Sequence, residues 1–353
     1  MMEPLIESFR EAVLQAAAGG QPLCLRGSGS KDFYGGAPQG AVLDLSPHRG
    51  IVHYEPKELV LTARAGTPLG EIERALHANR QMLPFEPPSF SPSATLGGCV
   101  ASGLSGPRRA YQGAVRDFVL GVRMLDGRGD ELRFGGQVMK NVAGYDVSRL
   151  MAGSLGTLGI LLEVSLKVLP RPAEEASLGF EMDQATAIET MNRWAGQPLP
   201  LSATCYDGGR LTVRLSGAAS AVEAARRRLG GEPVENGTAF WEALREQRLA
   251  FFAQRQPLWR VSLPPASAPL DLPGRQLIEW GGALRWLSGD IDGQALRGAV
   301  EQRGGQASLF RGGDESGDVF HPLSSALLEV QRRIKRAFDP HGIFNPGRMY
   351  RAF

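Results

Sequence analysis

The stretch LRGSGSKDFYGG (residues 25–36) directly follows a short predicted strand, PLCLR (22–26), and is rich in glycine. Glycine lets successive backbone N–H groups turn towards one point, and such a nest binds phosphate or pyrophosphate. The stretch has neither the GxxxxGK[ST] spacing of a P-loop nor the G-x-G-x-x-G fingerprint, because Asp32 follows Lys31. On its own it is equally consistent with a flexible turn.

Three later segments share the composition of this loop: SATLGGCVASGLSG (93–106), YQGAVRD (111–117) and GSLGTLGI (153–160). Their glycines allow close approach of the backbone to a ligand, and small hydroxyl residues beside them can donate hydrogen bonds. A single tight turn needs only one such loop. Several of them in one domain indicate a long, polar-ended ligand such as a dinucleotide.

The chain is predicted to begin with an amphipathic helix of about four turns that ends at Gly19 and Gly20. Apolar residues recur in it at helical spacing: Leu5, Ile6, Phe9, Val13 and Leu14. A strand, LVLTARAG (59–66), leads into a second helix, which Thr67 is predicted to cap with Pro68 in its first turn. This order predicts an αββα-type start.

The segment 84–117 is dense in Gly, Ser and Pro, and a structureless loop of that length is unusual unless it wraps something. After it, Asp126 and Gly127 separate two apolar runs, which predicts a β-hairpin. The strand GILLEVSLKVLP (159–170) follows, and Pro172 marks a predicted domain boundary.

Residues 173–323 alternate helix-like segments with strands of antiparallel appearance, which predicts an α+β second domain. The next segment, SALLEVQRRIKRAF (325–338), is a predicted helix that Asp339 and Pro340 stop. A turn-rich tail completes the sequence.

Composition and charge exclude several classes of protein. Of 353 residues, 42% are hydrophobic and 22% are charged, which excludes disordered, collagenous and coiled-coil chains. The 39 basic and 37 acidic residues nearly balance, so no nucleic-acid partner is expected. The densest basic runs, ARRRL (225–229) and QRRIKR (331–336), are predicted to be solvated helix faces.

Cysteine spacing and apolar run lengths bear on metals and membranes. Cys24, Cys99 and Cys205 contain no Cys-x-x-Cys pair, so the sequence predicts no iron–sulfur cluster and no other metal site. No apolar run approaches the roughly 18 residues of a transmembrane segment. The stretch MMEPLIESFREAVLQAA (1–17) is typical of a helix and not of a signal peptide. A cytoplasmic protein is therefore expected.

The motifs, in their order, resemble a known cofactor-binding family. RGSGSK (26–31), PPSFSPSATLGGCVASGLSG (87–106), GYDVSRLMAGSLGTLGILLEVSLKVLP (144–170) and FDPHGIFNPGR (338–348) are similar to the FAD-binding domain of the vanillyl-alcohol oxidase and p-cresol methylhydroxylase family. The resemblance implies an α+β fold in which a two-subdomain FAD-binding domain is joined to a smaller α+β cap domain. The implied boundaries are 1–172 for the FAD-binding domain, 173–323 for the cap domain, and 324–353 for a helix and tail that return to the first domain.

Further stretches, among them VMKNVAGYDVSRLMAGS (138–154) and IEWGGALRWL (278–287), are similar to the FAD-binding subunits of bacterial glycolate oxidases over nearly the whole chain. This resemblance implies a multi-subunit enzyme that oxidises glycolate, a small 2-hydroxy acid, to glyoxylate. The chain would have an electron-transfer or supporting role beside a catalytic flavin subunit and an iron–sulfur subunit. Its location would be cytoplasmic, at the inner face of the membrane only through those partners.

The resemblance also assigns residues to a non-covalent FAD. The pyrophosphate would lie on the backbone of Arg26, Gly27, Ser28, Gly29, Ser30 and Lys31. The flavin and ribityl side would be lined by Ser93, Thr95, Gly97, Gly98, Ser102 and Gly103. The remaining assignments are Gly113 and Asp117 at the adenine-side turn, Gly159 and Ile160 over the cofactor edge, and Asn345 towards the isoalloxazine. Each of these positions is also consistent with a purely structural turn.

The sequence departs from the family members that oxidise 2-hydroxy acids, which present a histidine cluster as base and cap-domain arginines as carboxylate ligands. None of the five histidines lies between residues 78 and 320, so catalytic residues stay unassigned. The histidines are predicted to be ordinary surface residues: His48, His53, His77, His321 and His341. By position, His48 and Cys99 are candidates for a covalent flavin link, but Cys99 is more simply a small buried residue.

Three positively charged residues each have two alternative roles. Arg108 and Arg109 are either partners for a phosphate or substrate carboxylate or a solvated loop pair. Lys140 either places a positive charge near a reduced flavin or joins a helix-terminal salt bridge.

Two further functions stay open beside the electron-transferring subunit. A self-contained FAD-dependent 2-hydroxy-acid oxidase would need a base, and the candidates are Tyr145, Asp146 and His341. A non-catalytic scaffold with a degenerate FAD site would use its surface to hold a complex together. Tryptophans of the second domain pack in its core or form a partner interface: Trp241, Trp259, Trp280 and Trp286.

Overall fold

The computed structural model describes residues 3–136, 146–314 and 317–353. The α-helices are α1 (Pro4–Gly19), α2 (Leu69–Ala78), α3 (Leu96–Ser102), α4 (Arg109–Gln112), α5 (Val115–Phe118), α6 (Val147–Leu150), α7 (Gln184–Ala195), α8 (Ala219–Leu229), α9 (Gly237–Arg245), α10 (Gly293–Glu301) and α11 (Ser325–Phe338). The strands are β1 (Leu23–Arg26), β2 (Ala41–Asp44), β3 (Ile51–Glu55), β4 (Val60–Arg64), β5 (Gln81–Met82), β6 (Val119–Leu125), β7 (Glu131–Gly135), β8 (Ile160–Lys167), β9 (Leu169–Pro170), β10 (Glu174–Glu181), β11 (Leu201–Asp207), β12 (Arg210–Gly217), β13 (Glu232–Pro233), β14 (Leu258–Ser262), β15 (Arg275–Glu279), β16 (Leu284–Ser288) and β17 (Gln306–Arg311).

The first half of the chain builds an antiparallel five-stranded sheet in the order β3-β4-β8-β6-β7. The central strand β8 is buried on both faces, which explains its nearly continuous apolar sequence ILLEVSLK. Helix α1 packs on one face through Ile6, Phe9 and Val13. Helices α2 and α3 pack on the other face, so the sheet lies between two helical layers.

Two details of these helices differ from the prediction. Helix α1 is confirmed, but Leu14 lies on its outer face and is 46% exposed. Thr67 does not cap α2, because its hydroxyl instead donates to the backbone oxygen of Arg64 at 2.7 Å and accepts from Gly50 N–H at 2.9 Å. The helix begins after Pro68, which has no side chain able to cap it.

The predicted hairpin at Asp126 and Gly127 is confirmed by the antiparallel pair β6 and β7. The segment 84–117, which has little sequence periodicity, contains three short helices, α3 to α5. Short helices of this kind bury few residues in a regular pattern, so periodicity could not reveal them.

The second half builds an antiparallel eight-stranded sheet in the order β13-β10-β12-β11-β15-β16-β14-β17. Helices α7, α8 and α10 cover its outer face. Its inner face packs against side chains from the first half, among them Tyr34, Leu104 and Leu155. The chain passes from one sheet to the other between Lys167 and Glu174.

Helix α11 carries one correction to the surface prediction. Lys335, in the basic run 331–336, is only 4% exposed, because its ammonium donates to Asp339 at 2.7 Å and to the backbone oxygens of Thr157 and Phe344. The arginines of the run 225–229 are exposed as predicted.

No helix in the described ranges is long and apolar enough to cross a membrane. Those ranges also contain no cluster of three or more His, Cys, Asp or Glu side chains suited to a metal ion.

Candidate functional site

Two adjoining cavities lie where β1 ends, beside the five-stranded sheet. The first, called here the loop cavity, follows the backbone from Cys24 to Asp32. The second, called the sheet cavity, reaches Gly159 and Leu161 at the start of β8. The two cavities share wall residues and so form one continuous cleft: Leu25, Gly27, Thr95, Gly98, Ala101 and Leu155.

The glycine-rich loop supplies a row of unused backbone donors. Within the described part of the chain, the backbone N–H groups of residues 27–31 donate to no protein acceptor. Gly29 has a φ of +74°, which a residue with a side chain rarely adopts. Unpaired N–H groups that line a cavity are the donor set that a phosphate or pyrophosphate requires.

Gly27 is fixed by a close contact across the cleft. A Cβ at this position would lie 2.4 Å from the Thr95 hydroxyl oxygen. Thr95 in turn caps α3, because that oxygen accepts a hydrogen bond from Gly98 N–H at 3.2 Å. The loop after β1 and the start of α3 therefore lie so close together that no side chain fits at Gly27.

The charged groups of the loop have distinct partners. The Arg26 guanidinium forms a salt bridge with Asp32 at 2.5 Å and lies over Gly29. The Lys31 ammonium donates to Ser89 O at 3.3 Å, and burial lowers the pKa of that ammonium. Because its side chain makes no salt bridge within the described residues, Lys31 is available to a negatively charged ligand in the cleft.

Asn345 holds the cleft together from a distant part of the sequence. Its Oδ1 accepts from Leu25 N–H at 2.7 Å, and its Nδ2 donates to Leu155 O at 2.7 Å. Arg348 donates to Lys31 O at 3.1 Å and also to Gly36 O. Since both ends of its amide are used, Asn345 positions the cavity walls, and a direct contact to a ligand is not its main role.

The structure brings together most of the residues that the sequence singled out. The loop cavity is lined by Arg26 to Lys31, Thr95, Gly98, Ser102 and Asn345. The sheet cavity is lined by Gly27, Thr95, Gly97, Gly98 and Gly159.

Five assigned residues lie elsewhere. Ile160 is fully buried in the core under α1, and Gly103 ends α3 without reaching either cavity. Ser93 is exposed. Asp117 accepts from Ala114 N–H at 2.8 Å, so that its carboxylate closes the turn between Gly113 and α5. The structure therefore gives these five no place in the cleft walls.

Some wall residues were missed by the sequence reasoning. They are Cys24, Leu25, Asp32, Pro38, Leu45, Ala65, Gly66, Ala101, Ser154, Leu155, Gly156, Leu161 and Arg348. Most are apolar or small, and such residues carry no chemical signature. Arg348 follows the quoted FNPG motif directly, so its position was the available signal.

Arg108 and Arg109 have neither of the two roles predicted for them, a ligand for a phosphate or carboxylate and a solvated loop pair. Arg108 is neither solvated nor free for a phosphate, because its guanidinium is buried and paired with Glu86 at 2.9 Å and with Glu175. Arg109 stacks on the indole of Trp280, with its guanidinium carbon 4.4 Å from the ring centroid. Lys140 and Tyr145 lie outside the described residues.

His48 is a further correction, because it is only 3% exposed and its buried Nε2 has no hydrogen-bond partner in the part of the chain that the structure describes. Burial and the neighbouring Arg64 lower the pKa of this histidine. Cys99 is a small buried residue as predicted, and burial raises the pKa of its thiol to about 12. The four tryptophans of the second half are all buried, which favours core packing over a partner interface: Trp241, Trp259, Trp280 and Trp286.

Comparison with protein families agrees with this geometry. The sequence profile of the FAD binding domain matches residues 6–135, and the profile of the FAD linked oxidases, C-terminal domain, matches residues 322–349. The second match contains Asn345 and Arg348, which hold the loop of the first.

Individual proteins extend the similarity over the whole chain. The glycolate oxidase subunit GlcE of Escherichia coli (strain K12) is 51% identical over 344 residues, covering 98% of this chain and 97% of that protein. The glycolate oxidase subunit GlcD of Bacillus subtilis (strain 168) is 35% identical over 196 residues, covering 54% of this chain and 42% of that protein.

Solved structures show the same fold at much lower sequence identity. An alkyldihydroxyacetonephosphate synthase superposes with a TM-score of 0.66 at 16% identity, covering 96% of this chain and 75% of that one. At such an identity the likeness concerns the fold alone.

Proposed function

Because the chain belongs to the family of the glycolate oxidase subunit GlcE and contains an FAD-binding domain, we propose that it is the FAD-binding subunit of a multi-subunit glycolate oxidase. The observation that carries the proposal is the continuous cleft. It is lined by residues 27–31, whose backbone N–H groups have no acceptor among the described residues, and by glycines and hydroxyls. A cofactor with a pyrophosphate and two flat ring systems needs those donors and that narrow space.

The residues present fit FAD. The backbone of residues 27–31 would bind the pyrophosphate, and the Lys31 ammonium would add a positive charge beside it. Thr95 and Ser102 offer hydroxyls, while Gly97, Gly98 and Gly159 leave room for the rest of the cofactor. Bound FAD supplies redox chemistry, since it accepts electrons from a donor and passes them to an acceptor.

The chain's own residues orient the cofactor and keep water from it. Asn345 and Arg348 fix the loop that would hold the pyrophosphate. Leu25, Ala101 and Leu155 form the apolar wall common to both cavities, and they exclude water from the cleft. We propose that the FAD is held without a covalent bond, because Cys99 lies on the buried face of α3 and its thiol stays protonated.

We propose that this subunit supports the reaction and does not itself oxidise the substrate. Within the described residues no histidine lines either cavity, and the base candidates Asp146 and His341 are exposed away from the cleft. Oxidation of a 2-hydroxy acid needs a base near the flavin. We therefore propose that a catalytic flavin subunit similar to GlcD oxidises glycolate to glyoxylate, while this subunit transfers electrons or supports it beside an iron–sulfur subunit.

The proposal is tested by the visible absorption spectrum of the purified chain, followed by anaerobic addition of glycolate. We expect flavin absorption that glycolate does not bleach until the partner subunits are added. Rapid bleaching of the isolated chain would favour a self-contained oxidase. A colourless chain that does not take up added FAD would favour a scaffold with a degenerate site. Flavin that stays with the acid-precipitated protein would contradict non-covalent binding.

A further inference from the structure

A short loop of residues 87–91 lies beside the cofactor cleft and contacts the side chain of Lys31. The Ser89 backbone oxygen accepts a hydrogen bond from the Lys31 ammonium at 3.3 Å, and the Phe90 ring centroid lies 5.7 Å from the same ammonium. Phe90 also packs edge-on against Phe33, which follows Lys31 closely in the sequence, with 5.4 Å between the ring centroids. The loop of residues 87–91 therefore fixes where the Lys31 side chain ends.

This loop is itself held by Glu246, the residue that follows α9 in the second half of the chain. The Glu246 carboxylate accepts from Phe90 N–H at 2.8 Å and from Ser89 N–H at 3.1 Å, and its side chain is only 12% exposed. In the part of the chain that the structure describes, these two N–H groups have no other acceptor. Residues 87 and 88 are prolines and have no N–H to donate. Glu246 is therefore the main hydrogen-bond anchor of the loop.

Phe90 needs such an anchor because its backbone is strained. Its φ is +57°, in the left-handed region that a bulky residue seldom adopts. A hydrogen bond to a charged acceptor is stronger than a bond between neutral groups, so the bond from Phe90 N–H to Glu246 offsets this strain. Without the carboxylate the loop relaxes, and the Ser89 oxygen moves away from the Lys31 ammonium.

Glu246 gives the second half of the chain an influence on the cofactor cleft. The residues that line its two cavities all lie in 24–161 or in 345–348. A lysine side chain is long and flexible, and its ammonium is strongly hydrated when nothing holds it. The position of the Lys31 charge at the cleft wall thus depends on a residue that lines neither cavity.

We infer that Glu246 is a positioning residue for FAD, because it fixes the loop of residues 87–91 and thereby holds the Lys31 ammonium at the cleft wall, where that charge attracts the anionic cofactor. The inference rests on the proposed FAD site and adds a residue of the second half that acts on it. Since Glu246 lines neither cavity, its effect on FAD passes through Lys31. Removing either side chain then removes the same interaction.

The test is a double-mutant cycle on the full chain, with the Kd for FAD measured by flavin fluorescence titration at about pH 7. Lys31→Met should weaken FAD binding by about tenfold, the effect of losing one charge-assisted hydrogen bond. Glu246→Ala should weaken it by nearly the same factor. The double variant should bind FAD within about twofold of Lys31→Met, because the two changes remove one interaction. Losses that multiply would show that Glu246 acts on the fold and not through Lys31.

The pH dependence of the same Kd gives a readout that general damage to the fold does not change. Burial lowers the pKa of the Lys31 ammonium, while Cys99 and Glu246 act to raise it. FAD affinity should fall as the pH rises through this pKa, because the neutral amine no longer attracts the cofactor. Glu246→Gln keeps an acceptor for the loop but lacks the charge, so the fall should begin at a lower pH.

The profile of Lys31→Met is the reference for this comparison, recorded from about pH 7 to about pH 9.5. It contains the contributions of the flavin and of the other charged groups around Lys31, and subtracting it leaves the contribution of the ammonium. Those other groups lie in the cleft walls and beside Glu246: Arg26, Asp32, Arg348 and Arg245.

Glu242 provides the matched control, since it is an exposed carboxylate on the same helix, α9. Glu242→Ala should bind FAD like the unmodified chain at every pH. An unchanged pH profile in Glu246→Gln, or equal losses from Glu242→Ala and Glu246→Ala, would overturn the inference. If the unmodified chain binds no FAD, the proposed function and the inference fail together. FAD binding by the unmodified chain, with losses that multiply in the double variant, overturns the inference alone.

Discussion

The contact between Gly27 and Thr95 defines the narrowest part of the cleft. A methyl group at Gly27 would lie 2.4 Å from the Thr95 hydroxyl, so either the loop moves or the Thr95 side chain rotates and gives up its cap of α3. Movement of the loop displaces the N–H groups of residues 27–31, which we propose as the pyrophosphate ligands.

Gly27→Ala should therefore weaken FAD binding by at least about tenfold, which corresponds to about 1.4 kcal/mol. Flavin fluorescence titration measures the change. Gly70→Ala is the matched control. Gly70 lies in helix α2, and a Cβ added there would meet nothing within 4 Å. That variant should bind FAD normally and unfold at a slightly higher temperature. Equal FAD affinity in both variants would show that the nest is not the pyrophosphate site.

His48 makes stability depend on pH. Burial and Arg64 lower the pKa of this histidine in the folded chain below its ordinary value of 6.5. The unfolded chain then binds a proton more readily than the folded chain, so stability is lost as the pH falls through about 6.5. His48→Phe should remove this part of the acid sensitivity, because phenylalanine does not bind a proton. The variant should still fold, because its ring can pack against Phe9 as the histidine ring does.

Thermal unfolding between about pH 5.5 and pH 7.5 measures the effect. The melting temperature of the unmodified chain should fall more steeply towards acid than that of His48→Phe. His77 is exposed, so His77→Phe should follow the unmodified chain. Parallel curves for all three proteins would show that another group governs the acid sensitivity.

At the scale of elements, a buried ion pair at the end of α11 helps to join this helix to the rest of the protein. Lys335 and Asp339 are 2.7 Å apart, and both are nearly inaccessible to water. Asp339 also accepts from Ile343 N–H and Phe344 N–H. This pair therefore fixes the turn that carries Asn345 into the cleft.

Lys335→Met leaves the Asp339 carboxylate buried without its cation, and the expected cost is about 3–5 kcal/mol of unfolding free energy. Urea denaturation measures it. Adding Asp339→Asn removes the unpaired charge, so the double variant should be more stable than Lys335→Met alone. Arg336 is the exposed neighbour, and Arg336→Met should change stability by less than about 0.5 kcal/mol. A small loss in Lys335→Met would show that the helix is held mainly by other contacts.

Sequence patterns identified the elements with strong periodicity and missed those without it. Helix α1, strand β8 and most strands of the eight-stranded sheet follow from their apolar spacing. The same patterns could not show that Lys335 is buried, because its partners are backbone oxygens and a carboxylate four residues away. Nor could they show that the Thr67 hydroxyl bonds Gly50, a contact that depends on where β3 lies.

At the scale of the whole molecule, an ion-pair network around Glu86 joins the two halves of the chain. Glu86, from the loop after β5, pairs with Arg108 and with Arg214 of the eight-stranded sheet, each at 2.9 Å. Arg108 also pairs with Glu175 on β10. We propose that residues 1–172 and 173–323 are separate domains and that this network makes them unfold together.

Glu86→Gln removes the shared negative charge and leaves Arg214 without a carboxylate. We expect a loss of about 3 kcal/mol and the separation of unfolding into two transitions in differential scanning calorimetry. Glu174 is exposed beside the same network, and Glu174→Gln should retain a single transition. One unshifted transition in Glu86→Gln would contradict the coupling.

The candidate site was predictable to the extent that it is built from glycines and small hydroxyls. Residues 26–31 were found because their pattern predicts an anion-binding nest, whereas Thr95 and Gly98 were assigned from the family resemblance. The cavity between the loop of residues 88–107 and the eight-stranded sheet was not found, since Arg260 and Glu279 in its wall are 19 positions apart on different strands. Only the antiparallel order β15-β16-β14 brings them to one cavity.

The hydrogen bond from Leu25 to Asn345 joins residues 320 positions apart. A ribosome adds roughly 5–20 residues per second, so Asn345 emerges on the order of 16–60 seconds after the loop it must hold. Until then the nascent chain has β1 and its glycines but lacks the segment that fixes them. Cofactor loading is therefore a late event in biosynthesis, and a truncated translation product that lacks residues 343–348 should accumulate as apoprotein.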